Sequence, residues 1–285
     1  MENKDFCIFI LTHGRAEKVY TYNSLMRRNC KYPIYFIVDN EDSQIEQYCK
    51  KFGKERVIIF DKLEVSKTFD TADNFENRGC IVYARNYCFQ AAKDLGYKYF
   101  LQLDDDYTDF RFKFDSKDNY GDFMTKRIDE IFDIFLRFYK NTEFKTITFC
   151  QGGDFIGGKR GSMALSKKIK RKAMNSFFCC IDREFTFLGR INEDVNTYCY
   201  EGSKGNLFGA LSNFALQQKQ SQLNSGGMTE TYLDSGTYLK SFYSVIFCPS
   251  FVKISLMGSV EKRLHHRISW NNAVPKILSE ELKKK

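Results

Sequence analysis

The sequence predicts an α/β protein built on a mostly parallel, doubly wound sheet flanked by helices. Three observations carry that expectation. Apolar runs at residues 6–11, 34–38 and 56–60, and again in the run beginning at Tyr97, alternate with segments of helical period. The first, FCIFIL, is solidly apolar, as in a parallel strand buried on both faces. Three of the runs break into polar residues at their carboxyl ends, where open α/β sheets bind their ligands.

Taken in order, the strand at 6–11 breaks into Thr12-His13-Gly14-Arg15, and residues 16–27 have helical period. The strand at 34–38 ends in Asp39-Asn40-Glu41-Asp42, followed by a helix over 43–52 and a strand at 56–60. Residues 62–78 are polar and irregular. A helix over 79–95 stops at Gly96, as helices commonly do. The stretch YKYFLQLDDDY, 97–107, then begins as a half-buried strand and ends in three consecutive carboxylates. Beyond it, 125–139 is the best amphipathic helix, 146–150 and 175–182 are strands, and 157–172 is glycine-rich and then basic. Residues 217–235 are polar and carry no clear pattern. One or two strands are expected in 244–255, and a short lysine-capped helix at the end.

Composition excludes several classes. With 285 residues, 43% hydrophobic and 16% aromatic, the chain can bury a substantial core. Three prolines and no Gly/Ser tract leave no linker, so a single domain is expected, with 1–110 and 111–285 as its two halves. No apolar run approaches a membrane span, and the start is too acidic for a signal peptide. Ten scattered cysteines without a CxxC pair read as reduced thiols in a cytoplasm rather than a zinc ribbon. The net charge of +8 is compatible with an anionic partner.

The chemistry concentrates in Asp104, Asp105 and Asp106. Three anions cannot be buried in a row without partners, so they belong at the lip of the sheet. In an extended backbone Asp104 and Asp106 point one way and Asp105 the other, and two such carboxylates can hold a divalent cation. The alternative is a solvated acidic turn. At the first strand's end, Thr12, His13 and Arg15 suit a phosphate or nucleotide, although the pattern is neither GxGxxG nor a Walker loop; the alternative is an ordinary strand-to-helix turn. Asp39 can accept from a base or ribose, or simply precede a helix. Arg85, on a helix that packs on the sheet, needs an anion at its head: a diphosphate or the aspartate cluster would serve. Lys159, Arg160, Lys167, Lys168, Lys170, Arg171 and Lys172 form the densest basic run, either a DNA-phosphate contact or a solvated face.

The segments ILTHGR, an Asp after the second strand, VYARN and LQLDDDY are similar to GT-A fold nucleotide-sugar glycosyltransferases with a DXD motif. More narrowly, FILTHGR, YARN, QLDDDY, GRINEDV and the final HHR and NAVPKI, in this order, resemble the bacteriophage TET-associated glycosyltransferases. The resemblance implies a Rossmann-like GT-A fold and an enzyme that moves a sugar from a nucleotide-sugar donor, a UDP-sugar by expectation, to a hydroxymethylated pyrimidine such as 5-hydroxymethylcytosine in phage DNA, in the host cytoplasm. It implies a divalent metal, Mn²⁺ or Mg²⁺, on Asp104 and Asp106, with His265 or His266 from a C-terminal metal-binding tail and Asp105 toward the donor. It also implies an acidic pair, Glu193 and Asp194, at the acceptor, with Asp194 preferred as base. The alternatives are the same chemistry on a saccharide or protein acceptor, or a silent nucleotide-sugar or DNA-binding module.

Overall fold

The computed structural model describes residues 3–76, 78–218, 236, 239–258 and 262–276. Along the chain, β1 (Phe6–Leu11) leads to α1 (Tyr20–Arg27), β2 (Ile34–Asp39), α2 (Ile45–Phe52), β3 (Val57–Phe60), the short α3 (Lys62–Ser66), α4 (Val82–Asp94) and β4 (Tyr99–Asp104). A hairpin of β5 (Tyr107–Phe114) and β6 (Tyr120–Met124) precedes α5 (Ile128–Lys140), β7 (Phe144–Gln151), the short α6 (Ser162–Ser166), β8 (Phe177–Cys180), α7 (Glu193–Ser203) and β9 (Leu207–Gln218). Last come α8 (Leu239–Phe247) and the two-stranded antiparallel β10 (Val252–Met257) and β11 (Arg263–Ile268).

The main sheet has nine strands in the order β3-β2-β1-β4-β8-β7-β9-β5-β6. Only β8 and β5 run against the rest. Strands from both halves of the sequence share this sheet. Both faces are covered, which is why β1 is apolar at every position: Phe6, Ile8 and Ile10 enter one core with α1, α2 and α5, while Cys7, Phe9 and Leu11 enter the other with α4 and α7. Because α1 and α2 lie on one face and α4 on the opposite one, the chain reverses direction between β1 and β4. Ligands bind at such a switch point, outside the carboxyl ends of the strands. Leu11 pairs with Asp104 there, so Thr12 and Asp105 leave the sheet side by side.

Several expectations need adjustment. The first helix is broken at Val19: residues 16–18 form one 3-10 turn and α1 starts at Tyr20. The stretch 62–78 holds the helix α3, capped by Asp61, and 108–124 holds most of a hairpin that had no assignment. Residues 239–247, partly expected as strand, are helical; their aromatic and β-branched residues suit either state, and burial of Ser241, Tyr243 and Ser244 on one face gives them a 3.6 period. The lysine-capped terminal helix and most of 217–235 lie outside the described residues.

At the centre of the first core, Phe178 of β8 meets the rings of Phe135 and Phe149 at 5.4 and 5.3 Å and those of Phe6 and Phe132 at 6.2 Å. Phe178 is fully buried. Phe178→Ala is expected to lower unfolding stability by about 3–5 kcal/mol, through lost burial plus an unfilled cavity. Urea unfolding checks this; a loss under about 1 kcal/mol would contradict the packing described.

Candidate active site

The carboxyl edge of β1 and β4 is laced together by Asp105. Its Oδ2 accepts from Thr12 Oγ1 at 2.8 Å and its Oδ1 from Arg15 Nη1 at 2.9 Å. Tyr48 on α2 completes the knot, with its hydroxyl 2.9 Å from Thr12 Oγ1 and accepting from the Arg15 backbone N–H at 2.8 Å. Gly14 sits at φ +64, a left-handed conformation that favours glycine, and its N–H donates to Asp42 Oδ2. Asp105, 3% exposed, therefore engages the chain's own donors through both oxygens. Beside it, Asp39 is held by His13 at 2.7 Å and Lys62 at 3.1 Å. Burial alone would raise the Asp39 carboxyl, but the His13 hydrogen bond and the Lys62 charge outweigh it and hold it below its usual value. The same hydrogen bond raises the His13 imidazole. A cleft of 290 Å³ opens here, lined among others by Gly14, Arg15, Lys18, Tyr20, Gln44 and Asp106.

On the other side of the β4 end, Arg85 is buried at 1% exposure inside α4. Its Nη2 donates to Asp104 Oδ1 at 2.8 Å and its Nε to Glu193 Oε1 at 3.0 Å. The guanidinium lies 4.9 Å from the Phe177 ring centre and 5.8 Å from that of Phe187. Nη1 is buried with no hydrogen-bond partner among the described residues. Two acidic motifs far apart in sequence thus meet on one fork of donors, a geometry that arginine supplies and lysine does not. The Asp104 carboxyl is pushed up to about 7, first by burial and then by Asp106, Glu193 and Asp105, with Arg85 opposing. Asp106 is also raised by burial; its Oδ2 accepts from Gln218 Nε2 at 3.0 Å, and its Oδ1 is buried without a partner among the described residues. Thr21 on α1 fixes the turn that carries these groups, its Oγ1 donating to the Asp104 carbonyl and its N–H to that of Asp105.

Glu193 and Asp194 open α7, where the helix dipole favours negative charge. Asn192 precedes them at φ 62. The turn before the helix is stitched by side chains. Asn196 Nδ2 donates to the carbonyls of Leu188 and Ile191, both at 2.9 Å, and Thr197 Oγ1 accepts from the Leu188 N–H. A side chain at Gly189, φ +83, would collide with the Asn196 amide. Arg190 ties the same turn to the 62–78 region through Asp73 at 2.9 Å, and the Tyr243 hydroxyl of α8 also donates to Asp73. Asp194, 6% exposed, accepts from the Val195 N–H at 2.7 Å; burial, then the neighbouring Glu193 charge, raise its carboxyl.

The histidines lie on β11. His265 Nδ1 is 2.7 Å from the His266 carbonyl, and the two rings are 4.3 Å apart. Among the described residues His266 Nδ1 is buried without a partner, and burial, His265, Lys240 and Lys172 push its imidazole down to about 4, so it is neutral. Among the described residues, no three His, Cys, Asp or Glu side chains are gathered in a set that could hold a metal ion.

The basic run is divided. Arg171 turns inward, its Nη1 donating to the Trp270 carbonyl at 3.1 Å and its Nη2 to that of Ala273, with the guanidinium 5.1 Å from the Trp270 ring centre. Lys172 and Lys170 flank Asp154 at 2.9 and 3.9 Å, and Lys167 pairs with Asp118. Lys159, Arg160 and Lys168 are exposed. Sequence reasoning missed Tyr48, Lys62, Thr21, Asp73, Tyr243 and Gln218, all of which hold site residues in place. Each is an unremarkable polar residue of its own element, and only tertiary contact reveals its partner. Arg190 alone had a signal, lying inside GRINEDV.

A family model described as TET-Associated Glycosyltransferase matches residues 6–227. That span covers Asp104–Asp106, Arg85 and the Glu193-Asp194 pair and ends before the two histidines. Among curated proteins nothing matches. The nine-stranded α/β sheet is compatible with a Rossmann-like glycosyltransferase fold. The chain therefore belongs to the TET-associated glycosyltransferase family.

Proposed function

We propose that this glycosyltransferase moves a sugar from a nucleotide-sugar donor to the hydroxyl of 5-hydroxymethylcytosine, or a related hydroxymethylpyrimidine, in DNA. The observation that supports the reading is the meeting of Asp104 and Glu193 on Arg85, which joins the acidic cluster at the end of β4 to the acidic pair at the start of α7. A sugar transfer needs both: one place to receive the departing diphosphate and another to take the acceptor's proton.

Asp104 and Asp106 would be the protein ligands of a divalent ion, whereas among the described residues neither His265 nor His266 is gathered with them in a ligand set. Among the described residues Asp106 Oδ1 and His266 Nδ1 are buried without a partner, and burial raises the proton affinity of both Asp104 and Asp106, with the Asp106 charge adding to the shift of Asp104. With only one or two carboxylates from the chain, such an ion relies on substrate phosphates for the rest of its shell. When bound, the ion offsets the charge of the departing nucleoside diphosphate.

The chain's own groups do the rest. The cleft lined by Arg15 and Lys18 receives the nucleotide, and Thr12, His13 and Asp39 stand at the carboxyl ends of the neighbouring β1 and β2. A UDP-sugar is the expected donor. Arg85 engages Glu193, so Asp194 is the member of the acidic pair left to take the acceptor's proton. As the acceptor oxygen bonds to the anomeric carbon, its proton passes to Asp194 and the carbon–oxygen bond to the diphosphate breaks. A carboxyl raised by burial binds that proton more strongly than an ordinary aspartate.

Mass spectrometry of nucleosides from hydroxymethylcytosine-containing DNA, incubated with the protein, Mn²⁺ and a panel of nucleotide sugars, should show a glycosylated base. Sugar on a saccharide or protein but none on DNA would transfer the acceptor assignment there. Excess EDTA and Asp106→Asn should each abolish transfer, and full activity in EDTA would remove the metal. Asp194→Asn should lower kcat by a factor on the order of 10²–10⁴, with donor affinity little changed. In the unaltered protein the acidic limb of the kcat profile should lie well above the ordinary aspartate pKa of about 4, because the base must be ionised. Near-normal turnover in that variant, or a product that keeps the donor's anomeric configuration, would refute the base assignment.

A further inference from the structure

The segment that follows β7 leaves the sheet at the same edge as the aspartates, since β7 and β4 run in the same direction. Its first residues are firmly rooted. Gln151 pairs with Leu216 on β9, two residues before the Gln218 that holds Asp106. Asp154, 9% exposed, accepts from the Gln151 N–H at 2.9 Å and from Lys172 at 2.9 Å. Phe155 is buried, 5.8 Å from the Tyr120 ring, with Lys113 4.7 Å from its own ring. The next residue, Ile156, is 82% exposed, more than any other large hydrophobic side chain described. Behind it the backbone doubles back: Gly157 has φ +91 and Gly158 φ +54, and a Cβ on Gly161 would strike the Ile156 carbonyl. Lys159 and Arg160 follow on the same turn, and Leu165 is 72% exposed nearby. Among the described residues no carboxylate pairs with Lys159, Arg160 or Lys168.

A single exposed isoleucine is ordinary on a protein surface. This one follows the anchored Asp154 and Phe155 at the edge of the sheet where β4 also ends, on a loop whose glycines keep the backbone slim, with cations that pair with no described carboxylate beside it. An enzyme that acts on a base in a duplex must first take that base out of the stack. Proteins that unstack DNA insert apolar wedges between base steps while cations grip the flanking phosphates. We propose that Ile156 is such a wedge, entering duplex DNA beside the target base, with Lys159, Arg160 and Lys168 on the phosphates. The inference rests on DNA being the acceptor.

The full-length protein can be tested on two oligonucleotides of one sequence, one duplex and one single-stranded, each with a single 5-hydroxymethylcytosine beside 2-aminopurine, whose fluorescence rises on unstacking. Without donor, binding of the wild type should raise fluorescence in the duplex, and Ile156→Ala should reduce that rise. With the nucleotide-sugar panel, Ile156→Ala should lower the ratio of duplex to single-strand transfer by about tenfold or more, and Ile156→Phe should restore it. Equal ratios for Ile156→Ala and wild type, an equal loss on both oligonucleotides, or duplex binding with no fluorescence rise would each overturn the wedge. An equal loss on both would instead mark a general docking surface. Wild type that unstacks the duplex but glycosylates neither oligonucleotide would refute the DNA-acceptor reading on which the wedge rests, and absence of DNA binding would refute both.

Discussion

A guanidinium cannot be buried without anions, and in this protein that constraint fixes the geometry of the site. Removing Arg85 from water costs several kcal/mol, recovered only if carboxylates meet it at hydrogen-bond distance. Asp104 and Glu193 do so, from the end of β4 and the start of α7. The rings of Phe177 and Phe187 exclude water around the group, which strengthens both pairings. Loss of either carboxylate would leave one donor of the fork, Nη2 or Nε, buried without its acceptor.

The surrounding architecture serves that junction. β1 and β4 diverge at the switch point, so their polar ends gather there without burying anions within the sheet. Asp105 points away from Arg85 and binds Thr12 and Arg15, so successive aspartates brace opposite sides of one strand end. α7 must start at a defined place for Glu193 to reach Arg85. The stitched turn at Gly189–Asn192 and the Arg190–Asp73 pair give it that start. The stability of the turn and the placement of the acidic pair are therefore one problem.

Much of this was legible in the sequence. The solid run Phe6–Leu11 can only be a strand covered on both faces, and the three aspartates after an apolar run can only be a strand end. The need of Arg85 for an anion also followed from its helix, and of the two anions considered the structure supplies the aspartate. What could not be read were contacts that depend on three-dimensional closure: Lys62 reaching Asp39, Gln218 reaching Asp106, and the Asp73 contacts to Arg190 and Tyr243. The basic run looked uniform by composition, yet Arg171 packs on the tail while Lys168 faces solvent, a distinction charge counting does not contain. The helix at Leu239–Phe247 was obscured because its composition satisfies both strand and helix.

The central claim is that Asp104, Arg85 and Glu193 act as one unit in sugar transfer. A double-mutant cycle in kcat with Asp104→Asn and Glu193→Gln tests it most directly, since residues acting together are strongly non-additive. The account predicts that the double variant is about as slow as the slower single variant. Losses that multiply, each variant lowering kcat by its own factor regardless of the other, would contradict it.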